Sequence, residues 1–76
     1  MRKIQTPTEL GTFIGRAIAR DVLADDMPRK WTGLDPQDGD HLTAAGIEPD
    51  TDDWTRAEAA AKTAYLAAIA DADRRG

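Results

Sequence analysis

The residues whose types come nearest to a metal site lie in the segment 35–41, which holds three aspartates and the chain's one histidine. A calcium-binding loop needs acids at positions 1, 3 and 5, glycine at position 6 and glutamate at position 12. If Gly39 takes position 6, positions 1 and 12 fall on Leu34 and Ala45. A transition metal needs more nitrogen or sulfur ligands than one histidine supplies. The segment is therefore predicted to be a polar helix start, with no bound metal.

Catalysis needs a nucleophile or an acid–base pair held in a pocket. The chain has 76 residues, one histidine and no cysteine, so it offers no thiolate. A chain of this length also has a core too small for a deep cleft. Gly11 and Gly15 fall inside a predicted helix and do not form a phosphate-binding loop. We expect no enzyme activity, no cofactor and no small-molecule substrate.

A small basic group could contact nucleic acid, because Arg29, Lys30 and Trp31 are consecutive and Arg16 and Arg20 lie on the preceding helix. Proteins that bind single strands stack bases on aromatic rings inside a positive groove. The net charge of this chain is −4, so the usual electrostatic footprint is missing. Weak nucleic-acid binding is kept as an alternative function, but nucleic acid is not the expected partner.

The segment 42–47 resembles the turn of helix-turn-helix proteins, in which Ala-Gly-Ile often joins the two helices. In those proteins the next helix enters the DNA groove. Here the next helix opens with Asp50, Asp52 and Asp53, which phosphates would repel. The same six residues fit a glycine helix stop, which is the interpretation we adopt.

Acidic residues are concentrated in the segment 35–55, which contains no lysine or arginine. The seven acids are Asp35, Asp38, Asp40, Glu48, Asp50, Asp52 and Asp53. One hypothesis is an acidic inhibitor or nucleic-acid mimic that blocks a basic groove on a partner, which requires the acids to share one exposed face. The competing interpretation is helix capping, because most of these positions precede a helix or fall in its first turn.

Capping signals divide the chain into three predicted helices, over residues 7–25, 36–45 and 51–73. Thr6 and Glu9 fit a capping box around Pro7, and Asp35 can cap before Pro36. Either Asp50 or Thr51 can cap the last helix. The fourteen alanines favour helix over strand. We therefore predict an all-α bundle of two longer helices packed with a short middle helix, as one domain over residues 1–76 with residues 1–5 frayed.

Helix stops and apolar spacing complete the predicted fold. Pro28 should end the first helix by Met27, and Gly46 with Ile47 fits a Schellman stop. The predicted buried face of the first helix is Leu10, Ile14, Ala17 and Ile18, and that of the last is Trp54, Ala57, Ala61, Ala64, Tyr65, Ala68 and Ile69. The residues expected to plug one end of the helix pair are Trp31, Leu34, Leu42 and Ile47.

The thin core and spare apolar positions favour a small non-catalytic interaction protein, of the kind that an accessory gene of a bacterium or prophage encodes. Gly11, Gly15 and Ala19 form a smooth strip that would allow homodimerisation or docking to a larger protein. Leu23 and Leu66 are further contact candidates. The acidic candidates are Asp35, Asp38, Asp40, Asp52 and Asp53. No apolar run is long enough to span a membrane, so we expect no membrane partner and a cytoplasmic location.

Overall fold

Three helices and no strand make up the part of the chain that the computed structural model describes, residues 6–75. Helix α1 runs Pro7–Ala24, α2 runs Pro36–Ala44 and α3 runs Asp52–Arg75. The predicted all-α bundle of two long helices and a short middle helix is confirmed. The expected fraying of residues 1–5 lies outside the described residues.

Each helix begins at a side-chain cap that the sequence predicts. The Glu9 amide donates to Thr6 Oγ1 at 3.1 Å, and the Thr6 amide donates to Glu9 Oε1 at 2.9 Å. Asp35 and Asp38 form the same reciprocal pair around Pro36, at 2.9 and 3.3 Å. Thr51 caps α3, because its Oγ1 accepts from the Trp54 amide at 3.2 Å. These bonds satisfy amides that a helix start leaves without a partner.

Helices α1 and α2 both end in Schellman motifs. After α2, Gly46 has φ +91°, and the Ile47 amide donates to the Leu42 carbonyl oxygen at 2.9 Å, as predicted. After α1, Asp26 takes the left-handed position with φ 54°, and the Met27 amide donates to the Val22 carbonyl oxygen at 2.9 Å. Pro28 predicts the stop but not this motif, because the residue in the left-handed position is not glycine.

The two long helices pack at backbone contact along a line of glycines. A methyl group added at Gly11 would overlap the Ala57 carbonyl oxygen and lie 2.8 Å from its Cα, and one at Gly15 would overlap the Ala61 carbonyl oxygen in the same way. Because both contact points lie four residues further along their helices, α1 and α3 run parallel. Residues 25–51, here called the crossover, include α2 and return the chain to the end of the pair where α1 and α3 both begin, here called the starting end.

The crossover covers one side of the parallel pair and builds two core clusters along it. At the starting end, Leu42 and Ile47 pack with Leu10, Ile14 and Ala57, joined by the half-buried Leu34 and Trp54. At the other end, the buried residues are Ala19, Val22, Tyr65 and Ile69.

Trp31 belongs to the second of these clusters. Its ring centroid lies 5.6 Å from that of Tyr65, whose hydroxyl donates to the Lys30 carbonyl oxygen at 3.2 Å. The prediction that Trp31 shares one plug with Leu34, Leu42 and Ile47 is therefore wrong. Those three residues lie at the starting end, whereas Trp31 packs at the other, because the crossover runs along the pair and does not close one end.

Candidate docking surface

The glycine strip proposed for contact with a second copy is occupied by the chain's own α3. Gly11, Gly15 and Ala19 are all buried, and α3 backbone lies against the two glycines. Another molecule cannot approach these residues without separating α1 from α3. The strip does allow close approach of a helix, but that helix is α3 of the same chain, so the strip is not a free interface.

The two leucine candidates differ in where they lie. Leu23 is half-buried and packs against the cluster that contains Tyr65 and Ile69. Leu66 keeps 45% of its surface exposed on α3. Only Leu66 is therefore open to a partner in the way that the sequence analysis expected.

The acidic candidates occupy local structural positions. Asp35 and Asp38 cap α2 together, and Asp52 and Asp53 fall in the first turn of α3. Asp53 Oδ1 forms an ion pair with Arg56 Nη1 at 3.2 Å, while Asp40 is exposed on α2. Capping and helix-dipole interactions account for four of these five acids, which favours the capping interpretation.

The Asp38 carboxyl has a raised pKa. Partial burial raises its pKa above the ordinary value of 3.8, and the amide of Asp35 opposes this by donating a hydrogen bond. The negative charge of Asp35 adds to the rise, and His41 opposes it. The group lies beside a cavity of about 410 Å³ under the crossover, whose lining also includes Ile18, Trp31 and Tyr65.

A larger concavity of about 760 Å³ lies between the two long helices on the side that the crossover leaves bare. We call it the alanine groove. Its α1 wall is Thr8, Thr12 and Arg16, and its α3 wall is Arg56, Ala59, Ala60, Thr63, Ala64, Ala67 and Ala68. No residue of the crossover lines it. The two core clusters bury the opposite side of the Gly11–Gly15 contact line, so the groove is the unfilled half of the interhelical surface.

The groove is smooth, mostly apolar and flanked by positive charge. Apart from Arg16 and Arg56, every residue in its lining is an alanine or a threonine. Arg56 is already paired with Asp53, and Arg16 makes no ion pair with another described residue. Leu66 follows Tyr65 and precedes Ala67 in the sequence but does not line the groove. Side chains this short let a docked helix approach closely, as Gly11 and Gly15 let α3 approach α1.

Leu66 was predicted as a contact candidate, whereas the groove, which Leu66 does not line, was not predicted. Alanines at positions 60, 64, 67 and 68 were assigned to a single buried face or left unassigned, although α3 carries small residues on two faces. The usable signal was a second line of small side chains at helical spacing, Ala60, Thr63 and Ala67, beside the core-facing line of Ala57, Ala61 and Tyr65.

Among residues 6–75, no group of three or more histidine, cysteine or acidic side chains is placed to hold a metal ion. Within the same residues, no helix is both long and apolar enough to cross a lipid bilayer. Comparison with protein-family models, with curated proteins and with solved structures finds no match to this chain.

Proposed function

We propose that this chain is a small non-catalytic interaction protein that presents the alanine groove to a helix of another protein molecule. The observation that supports this is the one-sided closure of the parallel pair. The crossover fills one side with Leu42, Ile47 and Trp31, whereas the other side remains an open trough of alanine and threonine.

The chemistry of the lining favours a helix as the occupant. An extended strand would need unpaired backbone donors and acceptors to pair with, and the described walls of the groove are helices whose backbone bonds are internal. A helix needs only a complementary surface, and short side chains bring its axis close to α1 and α3. Arg16 and Arg56 favour acidic residues on the flanks of the docked helix.

A photo-crosslinking experiment in the cells that naturally make the protein tests this function. Benzoylphenylalanine placed at Ala67, an exposed position that lines the groove, should form a covalent adduct with another protein molecule. The same amino acid at Glu58, exposed on α3 outside the groove, is the matched control. Ala60→Arg in the Ala67-labelled chain should abolish the adduct, because the long cationic side chain fills the trough.

The function is supported if the adduct forms from position 67, is absent from position 58 and disappears with Ala60→Arg. It is contradicted if positions 67 and 58 give the same adducts in the same yield, or if Ala60→Arg leaves the adduct unchanged. Circular dichroism on each variant checks that its helical content matches the unmodified chain.

A further inference from the structure

We infer that the occupant of the alanine groove is α3 of a second copy of this chain, packed antiparallel to α3 of the first. This inference rests on the proposed function, because it names what fills the same groove. The order of charges along the exposed side of α3 supports it.

One stripe of seven residues runs the length of α3 at steps of three and four, and its four central members, Arg56, Ala60, Thr63 and Ala67, line the groove. It consists of Asp53, Arg56, Ala60, Thr63, Ala67, Asp71 and Arg74. Its centre is small and uncharged, and each end carries one acid and one base. Read from opposite ends, the stripe shows side chains of the same classes with charges of opposite sign.

That order makes the stripe complementary to itself in one orientation only. If a two-fold axis passes beside Thr63, Asp53 of one copy lies opposite Arg74 of the second, and Arg56 lies opposite Asp71. Ala60 then meets Ala67. A parallel pairing would instead place each acid against an acid and each base against a base, which is repulsive. In antiparallel packing, the positive end of each helix dipole also lies beside the negative end of the other, which is attractive.

The ion pairs within one copy already position these charges on the surface. Arg56 Nη1 lies 3.2 Å from Asp53 Oδ1, and Arg74 Nη2 lies 3.0 Å from Asp71 Oδ1. Both pairs are exposed, so each is worth little alone. Arg75 Nε also lies 3.2 Å from Asp71 Oδ2. A second copy would join the Asp53–Arg56 pair of one chain to the Asp71, Arg74 and Arg75 group of the other, giving two five-charge networks that flank an apolar centre.

A charge-swap series on the full chain, measured by sedimentation equilibrium, tests the inference. The wild-type chain should associate reversibly from 8.3 kDa to twice that mass. Arg56→Asp places an aspartate opposite Asp71 at both ends of the two-fold interface and should raise the dimer Kd about tenfold or more. Asp71→Arg should do the same. The double variant carrying both changes restores opposite charges and should return the Kd to within about threefold of wild type.

Lys62→Asp is the matched control, because it makes the same charge change at an exposed position of α3 outside the stripe. Its Kd should equal that of the wild type. Circular dichroism should show unchanged helicity in every variant, since the altered side chains are exposed. Should a single swap lose helicity, Ala67→Glu takes its place and should also raise the dimer Kd, because it places a charge in the apolar centre of the stripe.

A wild-type chain that stays monomeric at millimolar concentration overturns this inference. The inference is also overturned if neither single swap changes the dimer Kd, or if the double swap does not return the Kd to near the wild-type value. None of these results touches the proposed function, because the crosslink from Ala67 would then identify a different protein in the groove. Loss of that crosslink as well would remove both proposals.

Discussion

Gly11 and Gly15 set the distance between the two long helices, because at these positions the α1 backbone lies against the α3 backbone. A Cβ atom at Gly15 would lie 2.8 Å from the Ala61 carbonyl carbon and overlap its oxygen. Backbone atoms cannot rotate away as a side chain does, so the helices would have to separate along the whole contact. The glycines therefore determine both the buried core and the width of the alanine groove.

Gly15→Ala should destabilise the chain by roughly 2 kcal/mol or more, even though alanine is the better helix former by about 1 kcal/mol. Gly39→Ala is the matched control. Its added Cβ would lie 3.3 Å from the Cη2 atom at the tip of Trp54, a side chain that can shift. That variant should be unchanged or more stable by up to about 1 kcal/mol. Urea unfolding followed by circular dichroism compares the two, and equal effects would contradict the close approach at Gly15.

The Asp38 carboxyl makes stability depend on pH in a direction that can be measured. Its pKa is raised in the folded chain, chiefly by partial burial, so folding favours the protonated form. Stability from this group is fully present below the unfolded pKa, near 3.9, and is lost as pH rises through the higher folded pKa. Asp38→Asn removes the titration. The stability of the variant minus that of the wild type should therefore increase from pH 3 to pH 7 in urea unfolding, and a flat or falling difference would contradict the raised pKa.

At the scale of helices, the boundaries were predictable because helix starts and stops are decided by neighbouring residues. Thr6 with Glu9, and Asp35 with Asp38, cap amides three residues away. Gly46 provides a left-handed backbone position that an ordinary residue adopts only with strain. Each signal lies within one turn of the element that it controls, so the sequence alone carries it.

Helix α1 ends at a residue that is poorly suited to the conformation it adopts. Asp26 occupies the left-handed position with φ 54°, and its charge lies at the negative end of α1, where no basic residue occurs in the last turn. Asp26→Gly should therefore stabilise the chain by about 0.5–1 kcal/mol. Gly46→Ala, at the equivalent position after α2, should destabilise it by about 1 kcal/mol. Thermal unfolding of both variants measures the opposite signs, and a loss of stability in Asp26→Gly would argue against a left-handed Asp26.

The direction in which helices pack was not predictable in the same way. Apolar spacing on Leu10, Ile14, Tyr65 and Ile69 shows which face is buried but is the same for parallel and antiparallel neighbours. The parallel arrangement depends on contacts between residues far apart in sequence. It also explains the missed groove, because an open side exists only once the crossover has covered the other. Leu66 could be recognised as exposed from its position outside the apolar stripe, whereas the alanines of the groove became a surface only through the packing of α1 against α3.

For the molecule as a whole, the buried apolar core is small compared with the surface that stays exposed to water. The buried apolar residues in the described chain include three alanines, and the remaining side chains are divided between two clusters. A domain of this length buries only about 60% of the surface that its unfolded chain exposes. Covering the alanine groove would bury apolar area that the single chain leaves exposed, so association and folding should be linked.

This linkage predicts that thermal stability depends on protein concentration. If two copies pack through α3, mass action raises the unfolding midpoint as concentration rises. With an unfolding enthalpy of about 0.7 kcal/mol per residue, a hundredfold increase above the dimer Kd should raise Tm by roughly 5–10 °C. Arg56→Asp should show a smaller rise in Tm over the same range, because like charges at both ends of the stripe raise the dimer Kd and leave fewer copies paired. Circular dichroism melts in cells of different path length provide the measurement, with Lys62→Asp expected to follow the wild type. Superimposable wild-type curves would show that the fold is complete without a second copy.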